Sequence, residues 1–186
     1  MSLKRVAATV AMLNLAFFVV EFGIACAIDS VSLLADSIDF LEDASVNALV
    51  VVGLGWSLTA RAKLGKVLAG VLLVPSVWAL ISIVLKLLTK TPPHASTLTI
   101  TGAAALTVNA YCAILLARFR KGGSLAKVAF LSARNDAIAN IAIIAAGIAT
   151  TFWLSMWPDL FVGMGIAALN AGAAREVWIT AHKESP

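Results

Sequence analysis

Apolar runs of membrane-spanning length follow one another along almost the whole chain, and most polar residues gather in the short breaks between them. A helix rises about 1.5 Å per residue, so about 20 mostly apolar residues cross a hydrocarbon core of about 30 Å. Six segments meet that requirement: about Val6 to Ala27, Val31 to Leu58, Leu64 to Leu88, Leu98 to Ala117, Leu125 to Phe152, and Trp157 to Thr180. The breaks hold Asp29-Ser30, Arg61 with Lys63 and Lys66, Thr91-Pro92-Pro93-His94, Arg118 to Gly123, and Ser155 to Pro158. The paired prolines are the firmest stop, because proline removes a donor and clashes with the preceding turn. The expected fold is an all-α membrane protein, a single six-helix transmembrane domain over residues 1–186 with no soluble domain.

Composition agrees with this pattern. With 61% hydrophobic and 13% charged residues and a mean hydropathy of +0.96, the chain has too little polar surface to coat a soluble domain. A net charge of +4 would raise nucleic acid as a partner for a soluble protein. Here the basic residues sit in the breaks, where membrane topology puts them, and nucleic-acid binding is not expected. Lys4, Arg5, Arg61, Lys63, Lys66, Arg118, Arg120, Lys121, Lys127, Arg175 and Lys183 fall on one side and only Lys86 and Lys90 on the other. Both termini are therefore expected to be cytoplasmic, in a multi-pass protein of the cell membrane, of bacterial inner-membrane type. The stretch after Lys4 and Arg5 is too long for a signal-peptide core and reads as a retained first span.

Several features have plain structural readings. Cys26 and Cys112 lack metal-ligand spacing and read as small core residues. Gly163, Gly165 and Gly172 offer small surfaces for close helix contact, within the bundle or at a dimer face. Pro158-Asp159 suits the first turn of the sixth helix. His94 and His182 lie outside the spans and read as surface residues. No nucleophile is paired with a base and no phosphate loop is present, so an enzyme is not expected.

Acidic residues inside the spans are what this composition does not explain. Asp36, Asp39, Asp43 and Asn47 are spaced by three, four and four, which lines them along one stripe of the second helix, with Glu42 beside it. Asp136 and Asn140 share a face of the fifth helix, and Asn14 and Glu21, seven apart, share one on the first. From the helical rise, Asp39 lies roughly 10 Å and Asp43 roughly 16 Å below the outer face, against roughly 12 Å for Asp136 and roughly 6 Å for Asn140. The same count sets Asn14 level with Asp43 and Glu21 level with Asp36. A single charge at the bilayer centre costs roughly 2.5–3.5 kcal/mol, so such a cluster is expected to bind a cation or carry protons. Oxygen ligands without histidine favour harder ions such as Mn²⁺, Mg²⁺ or Fe²⁺, and loading them would release protons.

The second span, SLLADSIDFLEDASVNALV, resembles the second transmembrane helix of the cation diffusion facilitator family. On that resemblance Asp39 and Asp43 take its two metal-ligand positions and Asp36 the aspartate before them. The family's second ligand pair, on the fifth helix, is matched by Asp136 and Asn140 in SARNDAIANIA, with asparagine where an aspartate is usual. A shifted register would put Ala139 and Ile143 there instead, neither with a ligating atom. Asn14 and Glu21 in LNLAFFVVEF resemble the polar pair of the family's first helix, and WPDLFVGMGIAAL the start of its sixth. The resemblance implies a homodimeric exporter of divalent metal in exchange for protons, though the usual cytoplasmic metal-sensing domain is not seen after the sixth span. The expected metal set is thus Asp39, Asp43, Asp136 and Asn140, with Asn14 and Asp36 as supporting or transient ligands and Glu21 and Glu42 as proton relays. The substrate ion would be Mn, Fe, Co or Zn, the oxygen donors leaning to Mn or Fe. Two other functions fit the same residues: a proton-coupled antiporter of a small organic cation, and a non-transporting membrane subunit.

Overall fold

A computed structural model describes residues 2–53, 67, 76–119 and 124–169, and these contain helices and no strand. Six helical segments stand among the described residues: α1 (Leu3–Ile28), α2 (Val31–Gly53), α3 (Ser76–Thr89), α4 (Ala95–Ala117), α5 (Ser124–Phe152) and α6 (Trp157–Leu169). The helices α1, α4 and the Ala129–Phe152 part of α5 are long and apolar enough to cross a membrane. At 23 residues α2 has the length but carries four carboxylates. Most of the first half of the expected third span and the last part of the sixth lie outside the described residues, as do Arg61, Lys63, Lys66, Gly172, Arg175, His182 and Lys183.

One face of α1, of α4 and of α5 is buried and the opposite face is largely exposed and apolar, as a lipid-facing surface requires, whereas α2 is covered nearly all round. On α1 the buried stripe is Val6, Ala7, Val10, Asn14, Glu21 and Ala25, while Met12, Leu15, Val19 and Val20 face outward. The helix ends at Asp29, whose left-handed backbone (φ 53°) turns the chain while its N–H bonds the Ala25 carbonyl. Aspartate tolerates that conformation better than most residues. The turn sends α2 back along α1 in a tight hairpin, and one register governs the whole contact. Phe17 stacks at a tilt on Phe40 with ring centroids 4.7 Å apart, and the pairs Asn14–Asp43 and Glu21–Asp36 are centred on the same point of the turn.

Two apolar clusters bracket the middle of the bundle. Ala25, Leu33, Leu34, Ala35, Ala79, Leu98, Ile143 and Ile166 close the end nearer the α1–α2 turn. Val6, Val10, Cys112, Leu116, Ala129 and Ala133 join α1, α4 and α5 at the other. Close helix approach depends on glycine at two places. A Cβ on Gly147 would lie 2.9 Å from the Thr99 backbone nitrogen, and one on Gly163 would lie 2.7 Å from the Val31 carbonyl carbon. Of the glycines expected to line contacts, Gly163 packs α6 on the start of α2, whereas Gly165 meets nothing within 4 Å.

The start of α2 is held by a residue of another helix. Asp159, expected to serve the first turn of its own helix, instead accepts hydrogen bonds from Ser30 Oγ (2.7 Å), Val31 N (2.9 Å), Ser32 N (3.1 Å) and Ser32 Oγ (2.6 Å). It therefore caps α2, satisfying donors that have no carbonyl partner within the helix. Lys86, expected as an outer-loop charge, is fully buried beside it: the ammonium lies 4.0 Å from Asp159 and 3.3 Å from Asp29, and also donates to the Asp29 carbonyl. Helices α2, α3 and α6 are thereby clasped at one end. His94 has a local role as well, its Nδ1 accepting from Thr97 N at the start of α4. Replacing Asp159 by alanine uncaps α2 and leaves Lys86 with one partner fewer, a loss on the order of 2–4 kcal/mol. Thermal unfolding in detergent micelles is expected to show Asp159→Ala well below the parent and Asp159→Asn between them. An unchanged midpoint for Asp159→Ala would refute the clasp.

Candidate functional site

Between the two apolar clusters the buried polar residues form two strings that cross the bundle. In the first, Asn109 Nδ2 on α4 donates to Asn140 Oδ1 on α5 (3.0 Å), and Asn140 Nδ2 donates to Asp36 Oδ2 on α2 (2.5 Å). Asp36 in turn faces Glu21 on α1. Four helices each contribute one member, and all four are buried. The second string lies about two turns along α2. Cys112 Sγ on α4 contacts Asn14 Oδ1 on α1 at 3.6 Å, Asn14 Nδ2 reaches Asp43 Oδ2 on α2 at 3.5 Å, and Ser132 on α5 stands beside Asp43.

The levels deduced for α1 and α2 therefore hold: Glu21 meets Asp36 and Asn14 meets Asp43. Asn140 is brought to Asp36 rather than to Asp39 or Asp43. Its oxygen, the atom a cation would need, is occupied by Asn109. Both ends of the amide are engaged, so it acts as a strut between α4 and α2. Nothing singled out Asn109 in the sequence, where it lies in an apolar helix with no other amide, but its spacing of three from Cys112 places both on the buried face of α4.

Between the strings lies a cavity of about 710 Å³, bounded by α2, α5 and α6. Asp39 and Glu42 face it from α2 and Ser132, Asn135 and Asp136 from α5, while Ile138, Val162, Ile166 and Leu169 supply apolar wall. Asp39 and Asp136 are electrostatic neighbours, and Asp43 and Glu42 add their fields to Asp136. Ser132, one turn before Asp136, escaped the sequence reading because a serine in a transmembrane helix usually bonds its own backbone. Its position four residues from Asp136 was the available signal. Arg134 is turned away from these acids, exposed and donating to Asn135 Oδ1 at 3.1 Å.

The acids crowd one region without forming a finished cage. Among the described residues no three His, Cys, Asp or Glu side chains converge at metal-ligand spacing. The ion pairs of Lys86 lie at the clasped end, with Asp29 and Asp159, while Glu21, Asp36, Asp39, Glu42, Asp43 and Asp136 gather in this part of the bundle. Six such carboxylates need cations or protons to coexist in this environment. No protein-family model matches the chain, and no curated protein matches it.

The Asn109–Asn140 bond is expected to be measurable. Interhelical hydrogen bonds in membranes contribute about 0.5–2 kcal/mol. A double-mutant cycle of Asn109→Ala and Asn140→Ala, read by unfolding in mixed micelles, should give a coupling of that size, and strict additivity would contradict the strut.

Proposed function

We propose that the chain is a divalent-cation transporter, with Asp39 and Asp136 gripping the ion across the α2–α5–α6 cavity. Ser132 and Glu42 line the same cavity and complete the proposed donor set, with Asp43 a neighbouring acid. The observation that carries this reading is one cavity faced by carboxylates from two helices. Oxygen donors suit Mn²⁺ or Fe²⁺ better than softer ions. The resemblance of the α2 segment to the cation diffusion facilitator helix points the same way, and α2 delivers Asp39 and Asp43 to neighbouring positions.

The working cycle couples metal to protons. In a form open to the cytoplasm, deprotonated carboxylates bind the ion, because a proton and a metal compete for the same oxygens. The bundle then rocks around the site and opens to the other side, where protons reload the acids and release the metal. The orientation with both termini in the cytoplasm, the homodimer and the outward direction belong to this proposal. The clasp of Asp159, Lys86 and Ser30 holds one end of the path shut.

A second reading has one observation in its favour. A volume of about 710 Å³ is far larger than a bare ion needs and falls in the range of small-molecule sites. A proton-coupled antiporter of an organic cation would use the same acids. Against it, the described lining residues include no aromatic ring and so no cation–π face.

Proteoliposomes with an imposed pH gradient separate the two. Mn²⁺ or Fe²⁺ flux is expected in the parent and at least a tenfold loss in Asp39→Asn and in Asp136→Asn, each folded as judged by size exclusion. Undiminished metal flux in either variant overturns the metal site, and gradient-driven flux of an organic cation dye without metal flux favours the second reading.

A further inference from the structure

The clasp at the end of the bundle is built so that one member can leave without stranding the rest. Asp159 on α6 receives four hydrogen bonds from Ser30, Val31 and Ser32 at the start of α2. Its own helix makes little demand on it, since Pro158 has no N–H and Trp157 N reaches Ser155 Oγ at 3.4 Å. The α2 end, by contrast, has a second cap ready. Ser30 Oγ accepts from Leu33 N at 3.2 Å, the bond of a residue capping its own helix, so α2 stays capped when Asp159 departs. Lys86 likewise keeps the Asp29 carboxylate at 3.3 Å and the Asp29 carbonyl, with Asp159 its more distant partner at 4.0 Å. Asp29 is half exposed and also accepts from Thr91 Oγ1 at 3.2 Å, so this side of the clasp belongs to the α1–α2 turn and to α3. The separable part is Asp159, with the first turns of α6.

We propose that α6 is a swinging gate on the cavity and that Asp159 is its latch, docked on the start of α2 when the gate is shut. Its use rests on the chain being the transporter proposed, but its motion does not. Helix α6 supplies Val162, Gly165, Ile166 and Leu169 to the cavity wall, opposite Asp39 on α2. Among the described residues, α6 makes two layers against α2 between that wall and the end of the bundle. The inner one is the close approach of Gly163, where an added Cβ would meet the Val31 carbonyl carbon at 2.7 Å and Ser32 N at 2.8 Å. The outer one is Asp159 itself, beside the apolar contact of Val31 with Met156 and Leu160. Asp159 and Gly163 are four residues apart on one face of α6, so a single movement undoes both layers. Asp159 would then stand in the first turn of its own helix, where the dipole favours a carboxylate, and water would take over Val31 N and Ser32 N. Both positions of α6 are served by hydrogen bonds, as a gate with two resting states requires.

The motion is read without cargo, by thiol labelling of the full chain in micelles well below the unfolding midpoint of each variant. Val31→Cys, combined with Cys26→Ser, puts a thiol under the gate. The native Cys112, fully buried between α1, α4 and α5 toward the other end, reports opening of the whole bundle. A water-soluble maleimide is expected to modify position 31 slowly in this background. The rate should rise at least tenfold when either Asp159→Ala or Gly163→Ala is added, because the first removes the latch and the second blocks its seating. Cys112 is expected to keep its parent rate in both. Unchanged labelling of position 31 in both variants overturns the gate. Acceleration of Cys112 in step with position 31 also overturns it, since the clasp would then be holding the entire fold rather than one helix. Gated labelling in a chain that moves no Mn²⁺ or Fe²⁺ in liposomes would defeat the transport reading alone and leave the latch in place.

Discussion

A carboxyl or amide group buried among helices in a bilayer has no water to bond, so each must find its partner on a neighbouring helix. That requirement organises the centre of this molecule. Asn109, Asn140, Asp36 and Glu21 run from α4 through α5 and α2 to α1, and Cys112, Asn14, Asp43 and Ser132 link the same four helices at a second level. Apolar packing alone gives little preference for one helix rotation over another, because lipid competes on equal terms with a leucine. The two strings supply that preference. They fix which side of α2 faces α1 and which faces α5, and so leave Asp39 to look into the space beside α6.

The ends of the bundle are treated differently. Near the α1–α2 turn, Asp159 and Lys86 satisfy one another and the exposed backbone of α2, while Gly163 lets α6 touch the α2 main chain. Charge there is matched within the protein. Around the cavity the acids Asp39, Glu42 and Asp136 instead share one open volume. Oxygen donors brought to that volume from α2 and α5 are what the proposed cation site is built on.

Much of this could be read from the chain. Helix positions followed from apolar runs and from Asp29-Ser30 and the paired prolines. Levels on α1 and α2 followed from equal distances to one short turn, which is why Asn14 with Asp43 and Glu21 with Asp36 were legible. The partner of Asn140 was not, because α5 is joined to α2 through two intervening helices and no short turn sets their relative height. Depth estimates placed Asn140 nearer the outer face than Asp39, and in the structure it bonds Asp36, which lies one turn nearer the α1–α2 turn than Asp39 does. Asn109 and Ser132 were invisible for another reason. Each is a small polar residue in an apolar helix, and its importance lies only in what faces it. Asp159 was read as serving its own helix, since a sequence shows a capping residue but not which helix end lies nearest.

The account stands on Asp39 and Asp136 being able to hold one cation between them. Substituting both by cysteine, in a chain where Cys26 and Cys112 are replaced by serine and alanine, turns that into a direct spectroscopic question. Cadmium titrated into the Asp39→Cys, Asp136→Cys protein should give thiolate-to-metal absorption with one ion per chain, bound at least tenfold tighter than by either single cysteine. A double variant that binds cadmium no better than the single ones would place the two side chains beyond reach of a common ion and contradict the account.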